Sequence, residues 1–242
     1  MWLIQDKIFG EETDDLLKHI DDYQLVSGIP DEVPYDTVVR GSVDFVELYQ
    51  NKFPENKQWL TLQNYNCDYY YPFVDNLLNK DYLMMSWGSL LEKKEVIFSK
   101  FSSDSIFIRP NSGRKIFTGT TLTKKWWDKE LDIIRELPNS SIDDNDLVLV
   151  SSAKEIKAEY RFLMRENLII GKSLYEGDSS LAEDIVTTSV AMGNKYFPDE
   201  YYTLDIAVTK IGQVCILEFN SFVSAGLYDM DYSSIASFFK GQ

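Results

Sequence analysis

The stretch YTLDIAVTKIGQVCILEFNSF, Tyr202 to Phe222, reads as two β-strands joined by a tight turn. Val208 and Val214 flank a Lys-Ile-Gly-Gln turn, and Gly212 supplies the permissive backbone such a turn needs. Folding the strands about that turn sets Leu204 opposite Phe219, Ile206 opposite Leu217 and Val208 opposite Cys215. Side chains alternate across a strand, so these six form one apolar face. The other face carries Asp205 opposite Glu218, with Asn220 two residues on. Like charges opposed across a sheet are destabilising, so something must offset the pair or the register must differ. A divalent cation would do so, because magnesium takes carboxylate and amide oxygens, the donors Asp, Glu and Asn offer. The same side chains also fit a wetted face on which the charges repel weakly.

The rest of the composition narrows the chemistry. The chain has 242 residues, 44% of them hydrophobic, enough to bury a sizeable core in one large or two small domains. Its 24 basic and 39 acidic residues give a formal charge of −15, which argues against general binding to a nucleic-acid backbone. A locally basic pocket for a nucleotide stays compatible with it. Cys67 and Cys215 are the only cysteines and show no zinc spacing, which suits a reducing compartment. No signal-peptide pattern and no membrane-spanning apolar run occurs, so a soluble, cytoplasmic protein is expected. His19, the single histidine, lies in the acidic segment DDLLKHIDD, so a histidine-based nucleophilic mechanism would depend on it alone. An enzyme built from this sequence would work by charges and a metal.

Alternating patterns predict an open α/β arrangement over about the first 95 residues. MWLIQ reads as a strand, residues 11–20 as a helix, YDTVVRGSVDFVELYQ as strand, turn and helix, and WLTLQ as another short strand. From about residue 100 the pattern becomes α+β. DSIFIRP and RKIFTG read as strands around a PNSG turn, and TLTKKWWDKELDIIRELP as a helix with Trp127, Leu131 and Ile134 at helical spacing. DLVLVSS reads as a strand and AEYRFLMRENLIIGKSLYE as two strands about Glu166-Asn167. SSLAEDIVTTSVAMGNKY reads as a helix opened by a Ser180–Glu183 capping box.

Several charges fall inside strand-like runs: Arg109 in SIFIR, Lys115 in KIFTG, Glu159 and Arg161 in AEYRFLM, Lys172 in LIIGKSLY. With Asp205, Glu218 and Asn220 they fit a polyphosphate and its magnesium, since Arg forks phosphate oxygens and Lys supplies point charges. Each also has a plainer reading: an exposed strand end for Arg109, a turn cation for Lys115, a solvated turn residue for Lys172. Glu159 and Arg161 share a strand face and fit a surface ion pair. The P-loop, the dinucleotide fingerprint and the protein-kinase motifs are absent.

The order of pieces resembles the ATP-grasp superfamily over roughly residues 100–242. SIFIRPNSGRKIFTG looks like its phosphate-covering strand–loop–strand, LVLVSSAKEIKAEYRFLM like its linker strand and E-x-R strand, and TLDIAVTKIGQVCILEFNSFVSAGLYDMD like its metal hairpin. The chain is most similar to a phage and bacterial clade that uses an arginine and two lysines as nucleotide contacts. The resemblance implies an α+β ATP-grasp fold, two α+β subdomains clasping the nucleotide, over 99–242. A small α/β pre-ATP-grasp domain would occupy 1–98. It implies that Asp205, Glu218 and Asn220 hold magnesium, that Arg109 and Lys115 contact phosphates, and that Glu159 meets the ribose. Arg161 and Lys172 would reach the phosphates or the acyl group, and the backbone from Val150 through Ser152 to Ala153 would read the adenine edge. The glycine-rich loop of the family is reduced here to PNSG.

The activity implied is ATP- and magnesium-dependent ligation of a carboxylate to an amine through an acyl phosphate. Small-molecule or peptide carboxylates and amines would be the substrates, with no nucleic acid or membrane partner. Arg40-Gly41-Ser42, after a strand, is a candidate carboxylate or phosphate contact. A phosphotransferase on the same fold, a nucleotide-binding regulatory module without turnover and an acidic scaffold without nucleotide are the alternatives.

Overall fold

Val38, Val39 and Arg40 form a short strand whose three side chains are all buried, and the chain then turns sharply at Gly41. A Cβ on Gly41 would lie 2.6 Å from the Phe45 ring and 2.9 Å from Gln5 Oε1, so only glycine fits there. Ser42 caps the helix that follows, α2 (Val43–Lys52), by accepting a hydrogen bond from the Phe45 amide. The strand is β3 of a parallel three-stranded sheet in the order β2-β1-β3, with β1 at Trp2–Gln5 and β2 at Tyr23–Val26. The expected helix near residue 11 is α1 (Glu11–Leu17). This computed structural model describes residues 1–114, 116–137, 142–177, 186–187 and 195–240. Lys115, Pro138 and the expected capping box at Ser180 and Glu183 lie outside the described residues.

By compactness the chain divides into two units, Met1–Thr61 with Ile156–Gln242, and Leu62–Glu155. The first joins the parallel sheet's segment to a four-stranded antiparallel sheet ordered β11-β10-β8-β9. Those strands are β8 (Ile156–Arg165), β9 (Leu168–Gly177), β10 (Tyr201–Thr209) and β11 (Val214–Ser221). Every residue of β10 is buried. The first unit's aromatic core draws on both ends of the chain. Trp2 packs edge-on against Phe239, Trp59 stacks on Tyr201, and Phe222 stacks on Phe239 at 5.2 Å.

The second unit is a four-stranded antiparallel sheet ordered β4-β7-β5-β6, from Leu83–Ser86, Leu147–Ser152, Ser105–Pro110 and Thr120–Thr123. Its core includes Trp87, Ile106, Ile108, Leu122 and Val150, and the helix Trp127–Glu136 adds Trp127, Leu131 and Ile134 to it. Three expectations need correction here. WLTLQ makes no strand; a 3-10 turn begins at Leu62. The strand expected at RKIFTG lies further on, at Thr120–Thr123, where the β-branched run pairs with β5 and buries Leu122. The helix read from TLTKKWW therefore starts only at Trp127.

The opening hairpin keeps its outer register, with Leu204 opposite Phe219 and Asp205 opposite Glu218. Nearer the turn Ile206 faces Ile216 and Val208 faces Val214, because a bulge beside Asp205 leaves Leu217 as the extra residue. The expected pairs Ile206–Leu217 and Val208–Cys215 are therefore not formed. Gly212 has φ +80°, and its amide donates to the Thr209 carbonyl.

Candidate active site

Asp205 lies in the middle of β10, between Glu218 on β11 and Arg161 on β8. It is fully buried, so its charge requires close compensation. Arg161 provides it: Nε donates to Oδ1 at 2.7 Å and Nη2 to Oδ2 at 2.6 Å, a two-pronged pair. Asn220 Nδ2 donates to Asp205 Oδ2 at 3.0 Å and to Glu218 Oε1 at 2.9 Å. The sheet thus offsets the opposed carboxylates with a guanidinium on one side and an amide between them. Arg161 is 4% exposed. Burial disfavours its charge, but the hydrogen bonds and charge of Asp205 outweigh that and hold the guanidinium's pKa above its ordinary value.

Glu159 shares the face of Arg161, as alternation requires, yet the two do not pair. Glu159 Oε2 accepts from the Tyr175 hydroxyl. Burial pushes its carboxyl up from the usual 4.5, the tyrosine bond opposing and the nearby carboxylates of Glu176, Asp205 and Glu218 adding to the rise. Tyr175 in turn stacks on Tyr228 at 4.9 Å, and Arg161 lies 4.8 Å from the Tyr228 ring centre. Lys172 is exposed and pairs with Phe162, so alternation sends it to the sheet face away from Arg161 and Ser173.

The donor set suits a hard cation. Asp205 Oδ2 and Glu218 Oε1 converge on one Asn220 nitrogen, within 3.0 Å of it. A half-turn of that amide puts Oδ1 in its place and gathers three oxygens around one point. Among the described residues no group of three or more His, Cys, Asp or Glu is placed to hold a metal. A cation here would therefore draw on the Asn220 oxygen and on oxygens from a ligand or water.

The segment after β11 was legible as the tail of the hairpin motif, but sequence reasoning missed the side chains that hold it. Arg40, expected to meet substrate, is 1% exposed and engaged by the protein itself. Its Nη1 donates to the Phe222 carbonyl, and its Nη2 to Glu12 Oε1 and the Ala225 carbonyl. Burial pushes its pKa down to about 10, with Glu12 resisting. Glu12 and Tyr175 carried no sequence signal beyond residue type, because their partners are distant in the chain, and Tyr228 entered only as part of the SAGLYDMD tail.

In the second unit Arg109 is buried on β5, opposite Leu149. The PNSG turn beyond it is tied down, the Asn66 side chain accepting from the Gly113 amide and the Asn111 side chain from the Asp68 amide. Val150 has strand partners on both sides, Leu83 and Ile108. The pairing with β4 stops there, so Ser151 and Ser152 keep a strand partner only on β5. Asp81 fills in, accepting from the Ser152 hydroxyl and from Lys154, both at 2.6 Å. Burial would raise the Asp81 carboxyl, but these partners outweigh it and hold it below the ordinary carboxylate value.

These sheets have known counterparts, and they define the class: this is an ATP-grasp fold. It superposes on the ATP-grasp RimK domain protein from Sphaerobacter thermophilus with a TM-score of 0.65, 11% identity and full coverage of both chains. With D-alanyl-alanine synthetase A from Vibrio cholerae the TM-score is 0.63 at 13% identity, over 98% of this chain and 92% of that one. With the ATP-grasp ligase PsnB, in complex with its minimal precursor, magnesium and ADP, it is 0.56 at 11% identity, over 99% and 97%. No curated protein matches the sequence. A family model does: the ATP-grasp domain, second family of the clade named for one arginine and two lysines, matches residues 89–238, well over half of the chain. The chain belongs to that family.

Proposed function

We propose that this protein is an ATP- and magnesium-dependent ligase that joins a carboxylate to an amine through an acyl phosphate. The observation that carries the reading is the Asp205–Glu218–Asn220 convergence beside the buried Arg161. The solved relatives support it: two bear the names of a ligase and of a synthetase, and one of them was solved with magnesium and ADP. In this reading residues 99–242 are the ATP-grasp domain and 1–98 a pre-ATP-grasp domain. The work is assigned to the cytoplasm, in keeping with two buried free cysteines and with no described helix long and apolar enough to cross a membrane.

A substrate carboxylate oxygen would bond to the γ-phosphorus as the bridging oxygen leaves with ADP. The amine nitrogen would then bond to the acyl carbon, inorganic phosphate would leave and the amine would lose a proton. Magnesium held by Asp205, Glu218 and Asn220 would neutralise phosphate charge. Arg161, with three of its five N–H donors already engaged, offers the remainder to the phosphates or acyl oxygen. Arg109 and Lys115 are assigned to phosphate oxygens, Glu159 to the ribose and the backbone from Val150 to Ala153 to adenine, while Lys172, on the sheet face away from Arg161, is left out of the phosphate set. Catalysis of this kind is positioning and charge stabilisation, which suits a chain with one histidine. The substrates would be small-molecule or peptide carboxylates and amines, in keeping with a neighbour named D-alanyl-alanine synthetase.

The test is a thermal melt of wild type and Glu218→Gln with ATP plus magnesium and with ATP plus EDTA. A ligand at 100 times its dissociation constant adds about 2.7 kcal/mol, which a melt detects. Stabilisation of wild type by ATP with magnesium, lost in the variant, is expected. A wild type indifferent to both at millimolar ligand would overturn the reading.

A further inference from the structure

The segment from Phe222 to Tyr228 leaves β11 directly after Asn220 and Ser221, and side chains hold nearly every turn of its backbone. Arg40 donates to the carbonyls of Phe222 and Ala225, at 3.0 and 2.9 Å. Glu12 Oε2 accepts from the amides of Leu227 and Tyr228, at 2.7 and 3.3 Å. Arg161 Nη1 donates to the Gly226 carbonyl at 2.9 Å. The Gly41 amide donates to the Val223 carbonyl, and the Tyr232 hydroxyl to that of Tyr228. Tyr228 sits at φ +53°, a conformation a bulky side chain adopts only when its surroundings impose it. That backbone lays its ring over Arg161 and against Tyr175.

Glu12 and Arg40 are joined at 2.7 Å, and Arg40 is closed off between the Phe9 and Phe222 rings. Neither could reach substrate through so complete a set of partners. We propose that Glu12 and Arg40 are positioning residues for the metal and phosphate face. They clamp the 222–228 segment, the segment's Gly226 carbonyl anchors Arg161, and Arg161 orients Asp205. The N-terminal segment thereby sets the geometry of a site formed by β8, β10 and β11. This rests on the function proposed above and adds residues to it.

The clamp's chemistry dictates the variant. Glu12 uses one oxygen for Arg40 and the other for the loop amides. A glutamine has one acceptor and one donor, so one of the two sets loses its acceptor whichever way the amide turns. Glu12→Gln should therefore free the loop at nearly constant volume. Glu12→Asp keeps both oxygens on a shorter stem, and should restore part of the effect.

The experiment has two readouts on the full chain. Hydrogen exchange of the ligand-free protein should quicken at the amides of residues 223–228 in Glu12→Gln, with β8 and β10 unchanged. A magnesium titration at fixed ATP, followed by thermal melt, should show half-saturation raised about 10–100-fold, the usual effect of losing an outer-shell partner. Should Glu12→Gln not fold, Glu12→Asp carries the test, with smaller shifts in the same directions. A folded variant with wild-type exchange in 223–228, or with faster exchange but an unchanged magnesium titration, overturns the positioning role alone. A wild type that ignores magnesium and ATP overturns the ligase reading, and this role with it.

Discussion

Glu159 is half-buried on β8 with its carboxyl against the Tyr175 hydroxyl and three other carboxylates within electrostatic reach. Burial holds its native pKa above the 4.5 it has when unfolded. Between those two values the native state binds more protons than the unfolded chain, so stability falls as pH rises through that window. Glu159→Gln removes the titration while leaving an oxygen for Tyr175. The melting temperature of the variant relative to wild type should therefore climb from pH 4 to pH 7, and nucleotide affinity should drop. A difference that stays flat with pH would show that the carboxyl carries no burial penalty. Such a trade of stability for function is what a charge placed for a ligand entails. At this scale the sequence reveals which residue types face one another, and little of their partners. Parity correctly put Glu159 and Arg161 on one face, but the ion pair read from it gives way to Asp205 and Tyr175, each supplied by a neighbouring strand. Strand order is a tertiary fact, and alternation within one segment cannot supply it.

The hairpin shows how far local rules reach at the scale of an element. The turn, the outer register and the Asp205–Glu218 pair all follow from alternation and from Gly212. The bulge at Leu217 does not, because a one-residue insertion leaves the apolar count of the strand almost unchanged. It matters for the site, since it lets the turn-proximal half pack in one register while Asp205 and Glu218 stay opposed. The two halves should respond separately to substitution. At Gly212 nothing lies within 4 Å of an added Cβ, so the penalty there is one of backbone alone. Gly212→Ala should cost about 1–2 kcal/mol in denaturant unfolding, the penalty of a left-handed conformation for an L-residue. Gly212→Asn should cost less, since Asn tolerates that region. Both should keep the full stabilisation by magnesium and ATP. A lost ligand response in either would mean that the turn, and not the bulge, sets the spacing of the carboxylates.

The whole molecule departs furthest from what a linear reading offers. The order of strands and helices changes near residue 100, which is where the expected cut between 98 and 99 comes from, and the family match begins at residue 89. Compactness groups the chain otherwise: residues 1–61 share a core with 156–242. Hydrophobic pattern says which face of an element is buried and not what covers it, which is why this pairing is invisible without coordinates. It has a consequence for residues 99–242 expressed alone. That fragment lacks Trp2 and Trp59, which pack on Phe239 and Tyr201 in the first unit, and Trp87, which belongs to the core of the second. Removing one such ring from a core costs about 3–5 kcal/mol. Three together roughly match the total stability of an ordinary domain, about 5–15 kcal/mol. The Glu12–Arg40 clamp and the Gly41 amide would also be gone, and with them the partners of the Phe222, Val223 and Ala225 carbonyls and of the Leu227 and Tyr228 amides. The fragment should therefore show no cooperative melt and should bind a hydrophobic dye. Residues 1–98 added in trans should restore some of the native near-ultraviolet dichroism. A fragment that melts cooperatively by itself would show that the ATP-grasp portion is an autonomous folding unit, and that the N-terminal segment adds substrate contacts to a core already complete.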